Sequence, residues 1–107
     1  MIFKLKENAC KLQCEENGKE VEIKKTQYDS IKNSKKHIAV VSLPIEGYLV
    51  VEVCTNFDEE LQKCLESYYD IMRPDGTLMN KNFKSIDQAK RIIEQEIKKS
   101  SRSFGDR

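Results

Sequence analysis

The chain has 107 residues, 38% hydrophobic and 35% charged, and a net charge of +1. That length suits one domain with one thin core. It holds no apolar run near the ~20 residues that cross a bilayer, and a nearly neutral balance names no partner by bulk electrostatics. The chain is therefore expected to be soluble and cytoplasmic, off the membrane, with its four cysteines unbridged in a reducing compartment. Fifteen of its nineteen basic residues are Lys, a bias of AT-rich coding sequence that suggests a bacterial, phage or mobile-element source.

Phe3 and Leu5 alternate with Lys, which predicts a first strand over Met1 to Lys6. Cys10, Leu12 and Cys14 alternate on even positions, so the parity change implies a bulge or break near Asn8. Asn17-Gly18 is a strong hairpin signal, because both residues tolerate positive φ. Strands are expected at about 10–16 and 19–25. Thr26 to Ile31 suits one helical turn, and Lys32 to Lys36 reads as a Lys-rich loop.

Ile38 to Leu43 is nearly all apolar, which predicts a central strand. Pro44-Ile45-Glu46-Gly47 makes a turn, and Tyr48 to Cys54 is its partner strand. Asn56-Phe57-Asp58-Glu59 reads as a capping box with acids in a first helical turn. Phe57, Leu61, Cys64, Leu65 and Tyr68 then recur at helical spacing, which predicts a helix over about 57–66.

Residues 68–73 read as a strand, because the turn after them needs one; Tyr68 and Met72 also continue the helical stripe, so the alternative is a helix running on through Met72. Pro74-Asp75-Gly76 supplies a three-residue hairpin turn with Gly76 left-handed. Thr77 to Phe83 is the returning strand. Ser85-Ile86-Asp87-Gln88 is a second capping box. Ile86, Ala89, Ile93 and Ile97, with Ile92, mark an amphipathic helix over about 86–99. Asp87 with Arg91 and Glu94 with Lys98 fit i,i+4 pairs.

The expected fold is α+β: one domain over 1–99, an antiparallel sheet of about five to seven strands built from hairpins, two helices, and a disordered tail over 100–107. Its core is expected to hold Leu12, Val21, Ile23, Ile38, Val40, Val51, Val53, Leu61, Leu65, Ile71, Ile93 and Ile97.

Candidate chemistry is sparse. Cys10 and Cys14 share a strand face at a separation of roughly 13 Å, too far for one tetrahedral ion. No metal and no cofactor are expected. His37 has no predicted Cys neighbour to activate. Asp58, Glu59 and Glu60 suit a helix dipole without further purpose. No glycine-rich phosphate loop is present. The chain is expected not to be an enzyme.

Charge is segregated. Residues 24–45 hold five Lys and one Asp, residues 46–70 hold seven acids and one Lys, and residues 81–107 hold eight basic residues and four acids. This favours a small protein-binding module, an inhibitor, adaptor or regulator acting through charged surfaces, for example an anti-CRISPR-type inhibitor of a nucleic-acid enzyme, with oligomeric state open. The contact is expected at acidic Glu52, Asp58, Glu59, Glu60 and Glu66 or basic Lys84, Lys90, Arg91 and Lys98. Tyr48 and Tyr69 are the apolar alternative. The second reading is direct nucleic-acid binding by the Lys-rich 24–36 loop and the basic C-terminal helix on one face, with Tyr28 and Tyr69 stacking on bases.

Overall fold

Leu49, Val50, Val51 and Val53 are fully buried in the computed structural model, which describes residues 2–6 and 9–105, with side chains as far as Lys99. A strand with both faces buried needs a layer on each. The elements that meet this need are β1 (Phe3–Leu5), β2 (Lys11–Cys14), β3 (Glu20–Glu22), α1 (Lys25–Lys32), β4 (Ile38–Val40), β5 (Leu49–Asp58), β6 (Lys63–Met72) and α2 (Ile86–Gly105). The strands form one antiparallel sheet in the order β3-β2-β1-β4-β5-β6. This is a single α+β domain, as the hairpin signals predict.

Alternation along β5 assigns the two layers. Leu49, Val51 and Val53 meet Phe3, Leu12, Val40 and Met72 on one face, where Ile31 of α1 packs. Val50 joins Val41, Ile71 and Phe83 on the other face, under Ala89 and Ile93 of α2. The helical stripe read from Ile86 to Ile97 is therefore the buried stripe. Gln88 donates its amide N–H to the Ser85 hydroxyl at 3.1 Å, and its side-chain oxygen accepts the Lys84 amide at 3.0 Å. The cap is present, with its return bond one residue earlier than the motif has it. Neither Asp87–Arg91 nor Glu94–Lys98 closes; the ion pairs seen among the described residues include Lys4–Glu15, Lys6–Glu20, Lys11–Glu20 and Lys25–Asp29. α2 itself is continuous to Gly105. The tail expected over 100–107 falls on residues whose side chains lie outside the described set, as does the break expected near Asn8.

Turns form at the predicted places, but β2 and β3 are shorter than the strands expected at 10–16 and 19–25, so their connection spans residues 15–19, and of Asn17-Gly18 only Gly18 takes positive φ. Gly18 has φ +71, and Glu46 and Gly47 have φ +49 and +86 between the bridged Ile45 and Tyr48. Gly76 has φ +88. Its Cβ, if it had one, would stand 2.5 Å from the Thr26 carbonyl oxygen. That contact shows where α1 sits. Thr26 donates its hydroxyl to the Pro74 carbonyl at 2.8 Å, and Ser30 donates to the Gly76 carbonyl at 2.7 Å. Gln27 is buried, and its amide donates to the Gly47 and Arg73 carbonyls at 2.7 and 3.1 Å. α1 is thus seated on two turns through backbone oxygens.

Three expectations fail here. First, 57–66 is no helix. Its residues end β5 and begin β6, so Leu61 and Leu65 are 61% and 50% exposed rather than core. The second helix is α1, longer than the single turn read at Thr26 to Ile31. Second, Thr77 to Phe83 returns along β6 only through isolated bridges, Met72 with Leu78 and Tyr69 with Phe83. Asn80 turns to φ +60, and the buried Asp70 carboxylate accepts the Ile71, Asn80 and Lys81 amides at 2.8, 3.2 and 3.2 Å. Those bonds take amides that a regular ladder would use. Third, Val21, Ile23, Ile38 and Ile97 are only partly buried at core margins.

Gly76→Ala should destabilise the domain by at least about 1–3 kcal/mol, because it forces a left-handed backbone on a Cβ that also meets the α1 backbone. Urea unfolding measures it, and Gly18→Ala, with an open neighbourhood, should cost less. Ile93→Asp places an unpaired carboxylate where exposure is 0%, and should cost several kcal/mol, enough to unfold a domain of ordinary stability. Circular dichroism at 25 °C checks this.

Candidate docking arm

Beyond Val53 and Tyr68 the β5–β6 hairpin leaves both cores: no residue from Thr55 to Ser67 belongs to either. Its strands still pair, through two compensating register shifts. Cys54 opposes Ser67 and Asn56 opposes Glu66, so Thr55 is an extra residue on β5. Phe57 then opposes Cys64, so Leu65 is an extra residue on β6. Bulges of this kind twist and re-aim a strand.

The tip is chemically specified. The Asp58 carboxylate accepts the Glu60 and Leu61 amides at 2.9 and 3.1 Å. Gln62 takes φ +53, and its side-chain amide donates to the Glu59 carbonyl at 2.6 Å. An Asx-type turn and an N-cap use the same carboxylate-to-amide bonds. This is why Asn56 to Glu59 resembles a helix start and yet closes a hairpin.

The arm is also closed covalently. Cys54 and Cys64 form a disulfide, with Cα atoms 5.9 Å apart. This corrects the expectation of four unbridged cysteines, which rested on a reducing compartment. In the hairpin Cys54 lies on β5 and Cys64 on β6, offset along the ladder, with Cys54 opposite Ser67 and Cys64 opposite Phe57, and the bridge spans the bulged segment between them. Cys10 and Cys14 are free. Beside the bridge, the Cys54 amide donates to the His37 carbonyl at 2.9 Å, and the His37 ring stacks on Phe57 with centroids 4.0 Å apart. His37 therefore does meet the cysteine pair, through the β4–β5 pairing. The sequence signal for this was the antiparallel register of Ile38 with Val53, which hydrophobic alternation alone did not fix.

The acidic candidates largely converge. Asp58, Glu59, Glu60 and Glu66 all lie on the arm, and all but the half-buried Asp58 are exposed. Glu52 lies at its root and accepts the Ser67 hydroxyl at 2.8 Å. With them stand the exposed Leu61 and Leu65. β6 is an edge strand. Its bridges to residues 78 and 83 engage only Tyr69 and Met72, so among the described residues its outer edge over 63–68 carries no strand partner.

The basic candidates lie elsewhere. Lys84 precedes α2, and Lys90, Arg91 and Lys98 lie along it, with Lys90 half-buried. The Lys24 to Lys36 group lies around α1, on the opposite face of the sheet. The two groups therefore do not share one face. Tyr28 is buried and donates its hydroxyl to the Lys6 carbonyl at 2.8 Å, so it offers no ring for stacking. Tyr48 and Tyr69 are half-buried against the α2 core rather than exposed.

Among the described residues, no group of three or more His, Cys, Asp or Glu side chains could hold a metal ion, and no helix is long and apolar enough to cross a membrane. No family model, curated protein or solved structure matches this chain.

The disulfide closes a loop with a sequence separation of 10. A Cys54→Ala/Cys64→Ala variant should lose about 2–3 kcal/mol, by the chain-entropy relation for a loop of this size. Urea unfolding with and without a dithiol reductant measures it. Wild type under reductant should match the variant.

Proposed function

We propose that this chain is a protein-binding module, an inhibitor, adaptor or regulator rather than an enzyme, and that its β5–β6 arm is the docking element. The observation that carries this reading is the pairing of an open strand edge with exposed Leu61 and Leu65 in a ring of acids. An unpaired edge offers backbone donors and acceptors to an incoming strand, and protruding side chains add selectivity. Natural sheets protect such an edge with charges, bulges or cover, and this one has charges and a bulge at Leu65 but no covering element among the described residues. Here Lys63 alone interrupts the acids, and the tip is held rigid by the Asp58 turn and the disulfide. The partner it suits has a basic rim around an apolar recess.

Direct nucleic-acid binding is less well supported. It needs the α1 and α2 basic groups to act together, and the sheet lies between them.

The test is affinity capture from the source cell, with and without nuclease, by wild type and by Glu59→Lys/Glu60→Lys/Glu66→Lys. Asp58 is left intact because it holds the turn. A protein partner should survive nuclease and be lost with the variant. With that partner purified, charge reversal should slow association about tenfold or more at low salt, and wild-type association should slow as salt rises. Dissociation should change less. Recovery of nucleic acid alone, or capture unaffected by the variant, would overturn the reading.

A further inference from the structure

β1 and β4 are neighbours in the sheet, yet they pair only at Phe3 with Val40. The strands fork from that point. Lys4 and Leu5 on one side and Ile38 and Ala39 on the other line a cavity of about 580 Å³. That size lies within the roughly 300–1,000 Å³ of small-molecule sites. The floor is apolar, made by Phe3, Leu5, Leu12, Ile31 and Val40. Phe57 and the bridged Cys54 and Cys64 form the wall toward the arm.

The polar groups at the cavity are unevenly engaged. Lys4 is paired with Glu15 at 2.9 Å, and Glu52 already accepts the Ser67 hydroxyl. Lys32 and Lys36 also line the cavity, are exposed, and have no acid partner among the ion pairs of the described residues. Lys32 has only the Tyr28 ring, with its ammonium 5.9 Å from the centroid. Two lysines without an acid partner, set against the single Glu52 carboxylate in a largely apolar lining, leave a net positive charge that favours an apolar molecule ending in an anion. A neutral apolar molecule would leave both unused, and a polar anion would leave the floor wet.

We infer that the β1–β4 fork is a binding site for an apolar monoanion of the fatty-carboxylate class, its chain on the Phe3, Leu12 and Val40 floor and its head between Lys32 and Lys36. The site is separate from the arm's strand edge and does not rest on the arm's proposed role.

The test uses 1-anilinonaphthalene-8-sulfonate as a fluorescent apolar anion, with dodecanoate as competitor and dodecanol as its neutral counterpart. Saturable binding of one probe per folded chain is expected, with displacement by dodecanoate. Lys32→Gln/Lys36→Gln should weaken dodecanoate at least about tenfold, since two charge-assisted contacts are lost, and leave dodecanol nearly unchanged. Ala39→Phe fills the fork without touching a charge and should abolish both. Ala39→Leu replaces it if the larger side chain lowers the melting temperature. Unchanged dodecanoate binding in the lysine variant, or equal weakening of dodecanoate and dodecanol, would mean simple adsorption to apolar surface and overturn the assignment. Binding that survives the filled fork, or no saturable binding, would equally overturn the assignment.

Discussion

β5 and β6 each have ten residues, and every other strand has three or four. Their ladder runs from Leu49–Met72 to Asp58–Lys63. Side chains alternate across a sheet, so a slip of one residue would exchange the two faces of both strands. The observed register puts Val51 and Met72 on the α1 side and Val50 and Ile71 on the α2 side. With that choice made, the short strands have one place to add. β4 follows through Ile38–Val53 and Val40–Val51, and β1 and β2 extend the same face with Phe3 and Leu12. The helices then cover what the register exposes.

Much of this was legible because it rests on local chemistry. Gly18, Gly47 and Gly76 each have positive φ, and such needs show in residue type. The Ile86 to Ile97 stripe is a 3.6-residue pattern with a cap in front of it. The arm was misread for an equally physical reason. Phe57, Leu61 and Leu65 at helical spacing imply burial on one helix face, but two bulges displace the strand period and Leu61 and Leu65 are bound for solvent. Periodicity reports a face; it does not say whether anything covers it. Likewise Asp58 caps amides in a helix and in a turn by the same bonds. Gln27 gave no signal at all, because its role depends on the Gly47 and Arg73 carbonyls, distant in sequence.

The arm is costly to keep ordered. From Thr55 to Ser67 it draws nothing from either core, so local opening there should need less free energy than opening the sheet interior. What it has instead is backbone pairing, the Asp58 turn, the His37–Phe57 stack and the Cys54–Cys64 bridge. A covalent closure acts mainly by limiting the unfolded chain, and a hairpin without a core has most to gain from it. Exposed leucines are tolerated singly on any surface. Leu61 and Leu65 are set apart by sharing an element with an open strand edge that something has gone to this length to hold in shape.

Charge supports the arm over the helices as a contact surface. A helix on each face of a sheet places α1 and α2 roughly 20 Å apart, with low-dielectric material between. At physiological ionic strength the Debye length is about 8 Å. The Lys-rich groups on the two helices therefore act on a partner as separate weak fields. Residues 55–67 hold four acids against one Lys, close together on one hairpin and mostly exposed. They act as one field, over a distance that screening does not erase. Charge segregation along the sequence thus becomes, in the fold, a divided positive charge and a gathered negative one, and the gathered one lies on the element that also carries an open strand edge and the exposed Leu61 and Leu65.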